Sequence, residues 1–88
     1  MAKATLNPPS YALRLAEALQ SKLKGATVDF EPVRRDRYRF IVIWQRFNKR
    51  GHPERQERVW DIADKTLAPK ELQKVTMIIT LGTDEANL

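Results

Sequence analysis

Apolar residues recur along this chain with two different periods. Ala12, Leu15, Ala16, Leu19 and Leu23 fall at i, i+3, i+4, i+7 and i+11, the spacing of one helical face. Asn7-Pro8-Pro9-Ser10 supplies the start: either Asn7 caps with Pro8 as the first helical residue, or Ser10 caps slightly later. Lys22 and Lys24 fall at the end of the helix, where cations suit its dipole, and Gly25 fits the left-handed stop. From Ala26 the period becomes two. Val28 and Phe30 alternate with Thr27, Asp29 and Glu31, which predicts a half-buried strand.

Residues 32–36 read as a connection. The next strand, Arg37 to Phe47, puts Tyr38, Phe40, Val42 and Trp44 on one face and Arg37, Arg39, Ile41, Ile43 and Gln45 on the other. A five-residue loop sets Phe30 opposite Tyr38, Val28 opposite Phe40, Glu31 opposite Arg37 and Asp29 opposite Arg39. Asn48 to His52 is a basic loop, and Pro53 opens a second helix. Its inner face is Gln56, Val59, Trp60, Ala63 and Leu67, with Ile62 at the edge. Glu54–Arg58 and Asp61–Lys65 are i,i+4 pairs in the favourable order. Pro69 breaks the pattern and Lys70 to Lys74 suits one short helical turn. Val75, Met77, Ile79 and Leu81 then alternate with Thr76, Ile78 and Thr80 in a third strand, which Gly82 ends.

The order predicts an α+β domain: helix, strand, strand, helix, short helix, strand. The first two strands form a hairpin. The helical crossover makes the third parallel to a neighbour, so the sheet is mixed and both helices pack on one face. The open face is expected to carry Ile41, Ile43 and Ile78 beside Arg39, Thr76 and Thr80. Residues 1–6 read as a loose tail, 7–82 as the single domain and 83–88 as an acidic tail.

Charge sharpens this picture. The 88 residues carry a formal charge of +5, and +6 of it lies between Arg34 and Arg58, against an almost neutral remainder. Such a balance attracts nucleic acid, anionic lipid or an acidic protein at long range. With no Cys, disulfides, thiolate metal sites and Cys nucleophiles are excluded, and the lone His52 makes no metal site without carboxylates. Only three Gly are present, and no phosphate-cradling Gly-rich loop. No paired carboxylates or Ser/His/Asp set is evident, so no enzyme and no cofactor is expected. No apolar run approaches the ~18 residues that span a bilayer, and Met1 to Pro9 lacks the apolar core of a signal peptide, so no membrane partner and a cytoplasmic location are expected.

The segment Phe47 to Trp60 resembles the core of the BolA family, within the class-II KH-like layout. That family carries a Phe, a Gly-Lys-Ser-type loop, an Arg-His-Arg-type helix start, then aliphatic residues and an aromatic. Phe47, Arg55, Val59 and Trp60 match without a gap, and the upstream helix, strand, connection and strand also fit. Lys49-Arg50-Gly51 stands where the family has Gly-Lys-Ser. The resemblance implies the fold, a basic helix start for nucleic-acid contact, and pairing with monothiol glutaredoxins. Gln56 stands at the family's characteristic His, an implicated iron–sulfur cluster ligand, and an amide does not replace an imidazole. The Gly-x-x-Gly loop of KH domains is missing, and with it that way of clamping a backbone.

The leading expectation is a small binding module that contacts nucleic acid, RNA in preference to DNA, or a ribonucleoprotein. Phosphate contact would fall to Lys49, Arg50, Arg55 and Arg58, assisted by Arg34 and Arg35 on the hairpin loop. The alternative is a protein-interaction or adaptor module using Ile41, Ile43, Ile78 and Arg39 on the open face, with a homodimer as one form. A BolA-like glutaredoxin partner is a third reading. Tyr38, Phe40, Trp44 and Trp60 fall on inward faces and read as core.

Overall fold

A computed structural model describes residues 8–86. The expected 1–6 tail, the Asn7 cap and the final two residues lie outside them. Helix α1 spans Ser10–Lys22, strand β1 Thr27–Arg34 and strand β2 Arg37–Ile43. A 3-10 segment, Gln45–Lys49, leads to α2, His52–Thr66. Helix α3 is Pro69–Leu72, strand β3 Val75–Leu81 and helix α4 Thr83–Ala86.

The apolar stripe of α1 does bury: Tyr11, Ala12, Leu15 and Leu19 meet the core. Each large aliphatic buried in this way stabilises the fold by roughly 1.5–3 kcal/mol. Gly25 stops the chain beyond α1 with φ of +89°, a conformation that a Cβ disfavours. The sheet runs β1-β2-β3, with β1 and β2 antiparallel and β2 and β3 parallel. Both long helices cover one face. Phe40, Val42, Phe47, Leu15, Leu19, Leu23 and Val59 are fully buried between the layers.

The hairpin differs from expectation in register. Phe30 opposes Phe40, Val28 opposes Val42, and Glu31 opposes Arg39. Strand β1 continues to Arg34, closes through a two-residue turn and absorbs a bulge at Val33. The pairing is therefore displaced by two residues. Two is a whole period, so every side chain keeps its expected face. The turn is pinned by Asp36, in the left-handed region at φ +58°. Its carbonyl accepts a 3.1 Å hydrogen bond from the Tyr11 hydroxyl, and its carboxylate pairs with Lys74 at 2.8 Å. Burial, reinforced by the Asp36 charge, pushes the Tyr11 hydroxyl up to about 12.

Three further boundaries move. Strand β2 stops at Ile43, and the expected strand residues Gln45 to Phe47 coil into the 3-10 segment. Phe47 is buried all the same, edge-on to Trp44 at 5.2 Å. Residues Thr83 to Ala86, expected as tail, form α4 and hold it to the 3-10 segment. Asn48 donates to the Thr83 hydroxyl at 3.0 Å and accepts from the Asp84 backbone N–H at 3.1 Å. Gly82 lets Asn48 lie against the backbone there, where a Cβ would collide with its side-chain amide.

The third correction concerns β3. Tyr38 pairs with Val75 but Arg39 pairs with Met77, so Thr76 is an extra residue. Its hydroxyl donates to the Tyr38 carbonyl at 3.1 Å. A one-residue bulge reverses the alternation beyond it. Val75 faces the helices, and so do Ile78 and Thr80. Ile78, expected on the open face, is 3 % exposed. Met77, Ile79 and Leu81 take the open face instead.

Candidate functional site

Two surfaces follow from this frame: the open sheet face and the basic loop end. The open face is a grid set by strand register. Its three rows are Glu31–Arg39–Met77, Asp29–Ile41–Ile79 and Thr27–Ile43–Leu81. The β1 column is polar and acidic. The β2 and β3 columns are apolar except for Arg39, whose guanidinium is paired with Glu31. Met77 is 48 % exposed, and Ile41, Ile43, Ile79 and Leu81 are half-buried by one another. A sheet with helices on one face leaves these side chains without the second layer that usually covers such a stripe. Of the interface residues expected from sequence, Ile41, Ile43 and Arg39 lie here and Ile78 does not.

Both edges of the sheet are blunted. The outward carbonyls of β3 belong to Ile78 and Thr80, because the alternate carbonyls face β2. Gln56 Nε2 donates to the Ile78 carbonyl at 2.8 Å, and Arg55 Nη1 to the Thr80 carbonyl at 3.3 Å. On β1, Phe30 pairs with a β2 residue whose own polar groups face β3, so its N–H points away from the sheet. The Asp29 carboxylate accepts that N–H at 2.8 Å. Pro32 offers no N–H on the same edge.

At the loop end, the sequence-predicted cations separate. Arg55 is 5 % exposed. Its Nε donates to the Arg50 carbonyl at 2.8 Å, its Nη1 pairs with Glu85 at 2.7 Å, and its guanidinium lies over Phe47. It is a structural clasp between the loop, β3 and α4, largely buried rather than presented on the surface as the sequence suggested. Glu85 also accepts the Gly82 N–H at 2.7 Å. That hydrogen bond first, and the Arg55 partner second, hold its carboxyl below the usual range. Arg50 is paired with Glu54. Lys49 and Arg58 are exposed and make no ion pair among the described residues. Arg34 and Arg35 sit at the hairpin, the opposite end of β2, about 20 Å away at strand rise. The basic stretch is thus two ends of one strand rather than one surface.

Both ends of the Gln56 amide are engaged. Its Oε1 accepts from Trp60 Nε1 at 3.0 Å, and its Nε2 serves the β3 edge. No group of three or more His, Cys, Asp or Glu able to hold a metal occurs among the described residues. No described helix is long and apolar enough to cross a membrane.

No family model matches the sequence. No curated protein matches it either. A solved structure does: a Bol-like protein from Babesia bovis superposes with a TM-score of 0.52 over 98 % of this chain and 95 % of its own. The chain has a BolA-like fold. At 16 % identity the likeness is one of fold. It agrees with the α+β order, the mixed three-stranded sheet and the helices on one side.

Sequence reasoning missed Met77, Ile79 and Leu81 as open-face residues, because nothing in composition marks Thr76 as the extra residue. It missed the burial of Arg55, although a signal existed. Arg55, Val59 and Ile62 lie at i, i+4 and i+7, so the arginine stands on the apolar stripe.

Proposed function

We propose that this chain is a small non-enzymatic protein-interaction module whose open sheet face receives one amphipathic helix of a partner protein. The observation that carries the reading is the five-residue apolar patch of Ile41, Ile43, Met77, Ile79 and Leu81 beside an acidic column. Such a continuous patch on an uncovered face marks an interface. Its shape selects the occupant. Two columns ~5 Å apart and ~13 Å long suit a helix ~10 Å across for two to three turns. Asp29, the acid of this face that makes no ion pair among the described residues, borders one side, so the partner helix carries Lys or Arg at that margin.

Two competing modes fit less well. Strand addition needs a run of free edge groups; Gln56 and Arg55 take the outward carbonyls of β3, and on β1 Asp29 takes the Phe30 N–H and Pro32 offers none. A second copy of this chain would bring no free cation to Asp29, because Arg39, the cation of this face, is already paired. An RNA surface spread over the whole basic stretch needs one contiguous basic face, and Arg55 and the Arg34–Arg35 pair do not join Lys49 and Arg58. The glutaredoxin reading lacks the imidazole at Gln56.

A fluorescently labelled helical peptide with a Leu stripe and a Lys margin tests the proposal by anisotropy. Micromolar binding that a Glu-margin version of the peptide and the Ile41→Lys variant both lose is the expected result. Equal binding of both peptides, or none, contradicts it. Concentration-dependent self-association abolished by Ile41→Lys would make a second copy the occupant.

A further inference from the structure

The cations left over at the loop end converge on one aromatic ring, and nothing in the docking reading uses them. Trp44 is 6 % exposed, with its Nε1 donating to the Lys24 carbonyl at 2.8 Å. Its ring is fixed from below by Phe47. The guanidinium carbons of Arg46 and Arg58 lie 5.8 and 5.7 Å from that ring's centroid. One comes from the 3-10 segment and the other from α2. Both are exposed, and neither makes an ion pair among the described residues. Beside Arg46 lies an open cavity of about 480 Å³ lined by Gln45, Arg46, Lys49, Arg50 and Glu54. A second hollow holds Arg50 and Arg58 together with the acids Glu54, Glu57 and Asp61.

Two like charges held against one indole repel each other unless an anion sits between or beside them. Stacking on a buried ring also restricts two otherwise mobile side chains, which lowers the entropy lost on binding. The guanidinium fork matches the oxygens of phosphate in pairs. Glu54, in the wall of the first cavity, is paired with Arg50, and Asp61, in the wall of the second, with Lys65, which leaves Glu57 as the unpaired acid beside Arg58 among the described residues. We infer that Arg46, Arg58 and Lys49, seated on and beside Trp44, form a binding site for an anion bearing adjacent phosphate groups. Trp44 supplies the platform rather than a base-stacking surface, because its ring is covered. The ligand is therefore read through phosphate alone. A free polyphosphate and a nucleic-acid backbone share that chemistry.

The experiment uses the full chain, tripolyphosphate and a single-stranded 12-nucleotide RNA. The indole N–H resonance of Trp44 and the Nε–H resonances of Arg46 and Arg58 are followed by NMR during titration. Tripolyphosphate is expected to shift all three. Arg46→Gln and Arg58→Gln should each weaken binding at least about fivefold, and the double variant Arg34→Gln/Arg35→Gln at the far end by less than twofold. With three cations engaged, the log–log salt slope for the RNA arm should be about −2. RNA moving the same resonances assigns the site to a nucleic-acid backbone, and tripolyphosphate alone moving them assigns it to a free polyphosphate. All four substituted arginines are exposed, so thermal melts of the variants should match the parent. Resonances that do not move with either ligand overturn the proposal. So does binding that the far-end variant weakens as much as Arg46→Gln does, since that would be charge without a site.

Discussion

The two faces of the sheet are built from the same strands and much the same side chains, yet they differ in what covers them. Phe40, Val42 and Ile78 meet α1 and α2 and are almost wholly buried. Ile41, Ile43, Ile79 and Leu81, one residue away along the same strands, stay half-buried, and Met77 lies exposed. Residue type does not separate the two sets. Position relative to the helices does, and the Thr76 bulge decides which half of β3 falls on which side. An aliphatic side chain is therefore evidence for the core only when the element that covers it is known.

Truncation on each face breaks the comparison most directly. Phe40→Ala removes a fully buried ring from the covered face and should cost about 3–5 kcal/mol in chemical denaturation. The same fold should lose less than ~1 kcal/mol with Ile41→Lys on the open face, whose long stem keeps its charge in water. Similar losses for the two would mean that something already covers the open face.

Arg55→Ala stands next, at roughly 2–3 kcal/mol, because the Arg50 and Thr80 carbonyls and Glu85 lose their partner together. An arginine serving phosphate would cost almost nothing to remove, so urea melts of Arg55→Ala and Arg58→Ala separate clasp from surface cation. Gln56→Ala should cost about 1–2 kcal/mol through the unpaired Ile78 carbonyl and Trp60 N–H. It should also raise the tendency to aggregate, since it uncovers the β3 edge.

The smallest effects are in pH. Glu85 and Glu71 titrate below the usual value, held first by the Gly82 and Ala68 N–H groups and then by Arg55 and Arg14. A depressed carboxylate contributes stability above its unfolded value, and that contribution fades as pH falls through its folded one. Melting temperature should therefore drop as pH falls below about 4.5, the ordinary value of these groups, and Glu85→Gln should flatten the slope. Tyr11 runs the other way. Its raised value favours the folded state up to about pH 10, and the advantage is lost between there and about 12. Tyr11→Phe should remove that alkaline loss.

Much of the frame is legible in the chain itself. The α1 stripe, the Gly25 stop, the alternation of Phe40 and Val42 and the helical crossover all follow from period and turn chemistry. They give the element order and put the aromatic residues inward. The hairpin register escapes this reasoning because a turn length and a bulge trade off without changing which face is apolar. The bulge at Thr76 escapes it for a different reason: β-branched residues alternate convincingly in either phase. The candidate surfaces suffer most. Charge counted along the sequence joins Arg34 to Arg58, whereas the strand between them carries the two groups to opposite ends. Ion pairing then removes Arg39, Arg50 and Arg55 from the free set, which only the fold reveals.

Methyl NMR of the Ile and Met side chains, with the Lys-margin helical peptide added to the full chain, tests the docking face most directly. Shifts at Ile41, Ile43, Ile79 and Met77, with the buried Ile78 and Ile62 unmoved, are the result expected. Shifts confined to buried methyls, or none at saturating peptide, would contradict a helix seated on the open face.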